Sequence, residues 1–242
     1  MHLILTGATG LVGSAVLQNM LAMKEVTRIS ILSRRPVPMA EGHEGKAKVI
    51  IHKDFNTYET GLLEELKGAQ GCVWALGISA TQVSKPDYIK ITYDYPLAAA
   101  KAFSTLSPDS PFTFVYVSGE GTTTTPGMFT PFFGKIKGQA EAALLALHKS
   151  NPNFRPYSLR PAGIDFVAHP EIHPFMPKQP MAYSMLLPVM RKTWSNMVSP
   201  TRDLGKVLTE LALSQGDKLE GKGIEGEGRT IANIGFRRIA GI

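Results

Sequence analysis

At 242 residues the chain has room for one sizeable α/β domain with at most a small added lobe, and 43% hydrophobic residues exclude a disordered polymer. The net charge of +6 suits an anionic ligand, yet the basic residues are scattered with no dense run, which argues against a nucleic-acid surface. One cysteine, Cys72, excludes an internal disulfide and reads as a buried thiol; no apolar stretch reaches bilayer length, so a soluble, cytoplasmic protein without an integral membrane segment is expected.

The elements alternate along the chain. Short apolar runs at 2–6, 28–33, 47–52, 71–76, 112–118 and 155–160 predict buried strands. Amphipathic stretches at about 11–24, 59–67, 93–106 and 136–150 predict helices between them, the third opening at Thr92-Tyr93-Asp94-Tyr95 with Asp94 in its first turn. This order predicts an α/β fold, a doubly wound parallel sheet of Rossmann type, with residues 1–160 as a dinucleotide-binding core. Right-handed crossovers then put every strand's C-terminal end on one edge, where ligands bind.

Beyond Arg160 the texture changes. Residues 161–200 carry seven prolines and five methionines, which predict short helices and loops in a small substrate-side cap spanning 161–242 of the same domain. A regular helix is expected at 201–214, N-capped by Ser199 or Thr201. A glycine-rich loop at 221–229 and a last apolar stretch at 230–234, read as a C-terminal strand, complete the chain.

Thr6-Gly7-Ala8-Thr9-Gly10-Leu11-Val12-Gly13 directly follows the first strand and opens the first helix. In that context one glycine permits a tight turn, one lets backbone approach a pyrophosphate and one lets helix and strand pack closely. Gly7, Thr9, Gly10, Leu11, Val12 and Gly13 are therefore expected to hold the phosphates, helped by the positive end of the helix. The second strand ends Ser33-Arg34-Arg35 where an NAD site usually places a carboxylate. Two guanidinium groups suit a 2′-phosphate, so NADP(H) is favoured over NAD(H). Asp54 and Phe55 follow the third strand and either border the adenine or form a plain turn. Leu76 and Gly77 follow the fourth, where backbone passes the cofactor ribose, and Ser79 is a candidate for the substrate side.

In order, Thr6–Gly13, Ser33-Arg34-Arg35-Pro36, Val117-Ser118-Gly119 and Leu159-Arg160-Pro161 resemble the short-chain dehydrogenase/reductase superfamily. The chain is most similar to its atypical, epimerase-like branch, near the Tat-interacting-protein-like oxidoreductases and their fungal relatives, well over residues 1–165 and loosely beyond. The resemblance implies a serine that polarises the substrate oxygen, matched by Ser118, and a lysine that holds the nicotinamide ribose, matched by Lys137. It also implies a tyrosine four residues before the lysine, and there the chain carries Phe133. Phenylalanine has no proton to exchange, which removes a group typically contributing roughly 10²–10⁴-fold in rate.

Three readings follow. Another group carries the proton, with Glu120 the first candidate and Lys135 and Thr122 to Thr125 nearby; or the reaction needs no strong acid, as in alkene reduction, isomerisation or cyclisation; or the fold keeps its cofactor for sensing or scaffolding. The first leads to an NADPH-dependent reductase of a small apolar carbonyl or enone metabolite, with Phe133 and Met185 as pocket wall. His169-Pro170-Glu171-Ile172-His173 has two histidines four apart, but its prolines and the lack of a third ligand argue against a metal.

Overall fold

The computed structural model describes residues 1–108 and 110–242. Its strands are β1 (His2–Thr6), β2 (Arg28–Ser33), β3 (Ala47–Ile51), β4 (Gly71–Trp74), β5 (Phe112–Val117), β6 (Phe154–Leu159), β7 (Gly163–Asp165), β8 (Val198–Pro200), β9 (Ile224–Glu225) and β10 (Thr230–Ile231). Its α-helices are α1 (Leu11–Ala22), α2 (Thr60–Leu66), α3 (Lys85–Ile89), α4 (Tyr95–Phe103), α5 (Phe132–Ser150), α6 (Met181–Thr193), α7 (Thr201–Leu213) and α8 (Asn233–Ala240). One sheet runs β3-β2-β1-β4-β5-β6-β10-β9, parallel except for the final β10–β9 pair, while β7 and β8 form a separate parallel pair. The order reverses between β1 and β4, which makes the crevice there the expected ligand site of such a sheet.

Strand side chains alternate between two cores, as the two-residue period requires. Leu3, Leu5, Val73, Val115 and Tyr157 face α1 and α7, whereas Ile4, Cys72, Trp74, Phe114 and Tyr116 face the aromatic layer under α4 and α5. Helix α7 packs along α1 so closely that a β-carbon on Gly205 would lie 2.5 Å from the Ala15 carbonyl oxygen.

Several expected boundaries change. The helix expected at 93–106 opens earlier, at Lys85, where the Ser84 side chain accepts a hydrogen bond from the Asp87 amide. Thr92 to Tyr95 therefore lie inside a helical run already under way, and Asp94 ends a π-helical turn, Lys90–Asp94, joining α3 to α4. The cause is Pro96: it has no N–H for the carbonyl four residues back, that of Thr92, and the buried Tyr116 hydroxyl donates to that oxygen instead (3.1 Å).

The proline-rich segment, expected as short pieces, contains the thirteen-residue α6 with Pro188 inside it. Pro188 sits on the solvent face, where the helix can open a carbonyl to water. Neither Ser199 nor Thr201 caps α7. Pro200 precedes it without a side-chain cap, while the Ser199 hydroxyl donates to Asn233 Oδ1 (2.6 Å) and Thr201 pairs with His169 (3.1 Å). The last apolar stretch supplies only the two-residue β10 before turning into α8.

Candidate dinucleotide and active site

The glycine loop is built by steric necessity. Gly7 has φ +72, and a β-carbon there would meet the Ala75 carbonyl oxygen at 2.4 Å, at the end of β4. A β-carbon on Gly13 would lie 2.0 Å from the Gly7 carbonyl oxygen, so α1 can approach β1 only without one. Gly10 meets nothing but the Gly7 oxygen, at 3.2 Å, which leaves its outer side open. No side chain caps α1, so its first-turn amides at Leu11, Val12 and Gly13 take no hydrogen bond from a capping side chain.

A cleft of about 560 Å³ opens over this loop. Gly7, Thr9 and Gly10 form its floor, Ser33, Arg34, Arg35 and Phe55 one end, and Leu76 and Gly77 the strand-β4 side. Arg35 folds back so that its Nη2 and Nε donate to the Thr9 hydroxyl at 3.1 and 3.3 Å, and its amide donates to the Ser33 hydroxyl at 3.3 Å. The guanidinium is thereby held at the adenosine end of the glycine loop. Arg34 is exposed beside it. The cleft has the shape and donor set for a dinucleotide: open backbone amides at a helix start, and two cations where the ribose of the adenosine half belongs.

Two wall residues had no local signal in the sequence: Gln82 and Pro177. Gln82 comes from the loop after β4, and Pro177 reaches over from the proline-rich segment before α6. Asp54 turns away from the cleft. Its carboxylate accepts from the Asn56 amide (3.1 Å) and the Thr57 hydroxyl (3.4 Å), which is the plain-turn alternative. Ser79 is exposed and pairs with Thr81 at 2.9 Å.

Further along the same sheet edge, β5 delivers Ser118 and α5 delivers Lys137. Ser118 is buried, with its hydroxyl donating to Thr122 Oγ1 at 3.3 Å. Lys137 Nζ donates to the Ser118 carbonyl (2.8 Å) and the Val117 carbonyl (3.1 Å) and stands 5.6 Å from the centroid of the Tyr116 ring. Desolvation pushes the ammonium down to about 8, against the opposing pull of Glu141 one turn along. Glu141 is fully buried and gripped by Arg160, whose Nε and Nη2 donate at 3.0 and 2.5 Å while its Nη1 reaches Glu225 at 2.9 Å. This buried network joins the Leu-Arg-Pro segment to α5.

The loop after Ser118 is pressed directly onto α5. A β-carbon on Gly138 would fall 1.8 Å from the Thr123 carbonyl oxygen, so the helix offers bare backbone there. Phe133 is half-buried under the same loop. The Glu120 side chain leaves Ser118 for the start of α8, where its Oε2 accepts from the Asn233 amide at 3.4 Å. Met185 stands 67% exposed on α6, with Leu187 of the same helix buried instead. The two histidines four apart are separately engaged, His169 with Thr201 and His173 Nε2 with the Phe166 carbonyl (2.9 Å), and Glu171 pairs with Arg202.

No protein-family model matches the chain. Leucinostatins biosynthesis cluster protein T of Purpureocillium lilacinum is 35% identical over 260 residues, covering 98% of this chain and 94% of that protein. Among solved structures, MoeE5 in complex with UDP-glucose and NAD superposes with a TM-score of 0.67 at 15% identity, covering 100% of this chain and 93% of the other. The FolM alternative dihydrofolate reductase 1 of Brucella canis complexed with NADP gives 0.65 at 12% identity, with 98% and 94% covered. Those likenesses establish the Rossmann fold. Among the described residues no helix is long and apolar enough to cross a membrane.

Proposed function

This chain belongs to one family with leucinostatins biosynthesis cluster protein T, and from that premise we propose that it is an atypical, epimerase-like short-chain dehydrogenase/reductase, an NADPH-dependent reductase of a small apolar carbonyl or enone. A nicotinamide dinucleotide fits the cleft; the phosphorylated form is our reading of Arg34 and Arg35. The observation that carries it is the Arg35–Thr9 pairing, which sets a cation against the glycine loop where a 2′-phosphate would sit. Bound NADPH supplies a hydride. The chain's part is to orient and to polarise: the glycine loop and α1 hold the phosphates, Lys137 stands at the nicotinamide end, and Ser118 donates toward the substrate oxygen. The relative's place in a biosynthesis cluster supports a biosynthetic intermediate as substrate.

The test is direct. Purified chain is titrated with NADPH and NADH by cofactor fluorescence, then NADPH consumption is followed with 4-nitrobenzaldehyde, 9,10-phenanthrenequinone and 2-cyclohexenone. Tighter binding of NADPH and turnover of at least one probe are expected. Phe133 favours one rival: cofactor binding with no consumption of reduced nicotinamide would point to a non-redox isomerase or cyclase, or to a cofactor-bound scaffold or sensor.

A further inference from the structure

The missing tyrosine leaves the site without its expected proton source, and the surroundings of Ser118 narrow the replacements. Phe133 has nothing to donate. The Glu120 carboxylate is drawn off to the Asn233 amide at the start of α8. Thr122 is occupied as acceptor for Ser118, and a hydroxyl of ordinary acidity is a poor acid at neutral pH. The charged donor hydrogen-bonded directly to Ser118 is the Lys137 ammonium, 2.8 Å from that residue's own carbonyl oxygen.

We propose that Lys137 is itself the proton donor of the reaction, taking over the role that Phe133 cannot perform. The assignment rests on the reductase reading above. Two of its three N–H bonds are spent on the carbonyls of Val117 and Ser118, which anchor the group and leave the third for the substrate oxygen. The step balances without another reactant. The carbonyl carbon accepts a hydride from the bound dihydronicotinamide, the C=O π pair moves to oxygen, and that oxygen takes a proton from Nζ. The neutral amine then regains a proton from water.

The electrostatic setting suits this exchange. The groups facing Lys137 are Glu141 on α5, Tyr116 on β5 and, beyond Glu141, Arg160 just past the end of β6. Arg160 binds both Glu141 oxygens, so the nearby carboxylate that favours the charged form of Lys137 is shared with a second cation. Burial, with its effect only partly reversed by Glu141, keeps the group near neutrality, where an acid both holds and releases its proton.

The experiment uses the full chain with NADPH and whichever carbonyl probe it reduces, comparing wild type with Lys137→Met and Lys137→Arg. For wild type, kcat/KM for reduction is expected to be flat at lower pH and to fall about tenfold per unit above about 8. K137M should lose about 100-fold or more in kcat. K137R keeps the charge but is far too weak an acid to release its proton, so it should lose about as much kcat as K137M. A second readout needs neither turnover nor a variant: acetylation of Lys137 by acetic anhydride, followed by mass spectrometry across pH, should titrate with a midpoint near 8.

A midpoint above about 10 overturns the assignment. So does turnover in K137M within about threefold of wild type, or turnover lost in Glu120→Gln while K137M keeps it. A wild-type chain that binds NADPH and reduces no probe overturns the underlying reading, and the assignment with it.

Discussion

The para carbon of Phe133 lies 3.4 Å from the point that a β-carbon on Gly121 would occupy, so the ring ends against a notch that this glycine leaves empty. The position four residues before Lys137 thus keeps an aromatic ring beneath the loop carrying Ser118. Phe133→Tyr is expected to change stability by less than about 1 kcal/mol and to raise kcat with 4-nitrobenzaldehyde by about tenfold or more. Chemical denaturation and NADPH consumption check the two halves separately.

The Arg35–Thr9 contact makes a cofactor prediction. Arg35→Ala should raise the Kd for NADPH by about 10–100-fold, the range of a charge-assisted hydrogen bond to phosphate. The Kd for NADH should move by less than about threefold, since no phosphate faces the lost cation. Equal weakening of both would show that Arg35 supports the loop and not the 2′-phosphate.

At Gly13 the argument is steric. With the Gly7 carbonyl oxygen only 2.0 Å from an added β-carbon, Gly13→Val must push α1 off β1. A loss of about 3 kcal/mol is expected, together with loss of NADPH binding. Urea unfolding followed by tryptophan fluorescence measures the first.

The Glu141–Arg160 pair is the most deeply buried ion pair among the described residues, with side-chain exposures of 0% and 10%. Glu141→Gln strands the guanidinium with only the half-exposed Glu225 and should cost about 3 kcal/mol. It also removes the carboxylate that favours the charged form of Lys137, so the lysine should titrate lower in this variant than in wild type.

His2 supplies a pH dependence for stability. Burial holds its imidazole down to about 4, with the charges of Arg28 and the N-terminus adding to the effect, while its Nε2 lies 2.9 Å from the Ser30 hydroxyl. Between about 6.5 and 4 the unfolded chain binds a proton that the folded chain refuses, so stability falls as pH falls through that window. At pH 5 the contribution lost is about 2 kcal/mol. A shallower pH dependence in His2→Gln checks it, and an unchanged slope would assign the acid sensitivity to other groups.

What the amino-acid sequence determined by itself was whatever neighbouring residues encode. The alternation of apolar runs and amphipathic stretches specified a parallel, doubly wound sheet, and the spacing of Gly7, Gly10 and Gly13 marked the phosphate loop, because turn, strand and helix start are consecutive there. Arg34 and Arg35 were legible for the same reason, at the end of a recognisable strand. The tertiary structure decided what depends on contacts across long separations. Pro96 leaves the Thr92 carbonyl without its helical partner, and Tyr116, far off in sequence on β5, takes it up. The Pro177 and Gln82 walls, the departure of Glu120 toward α8, and the gripping of Glu141 by Arg160 arise between segments that share no local pattern. A cofactor loop is written in a few adjacent residues, whereas the direction in which a single carboxylate or ammonium points is set by whatever the fold packs beside it.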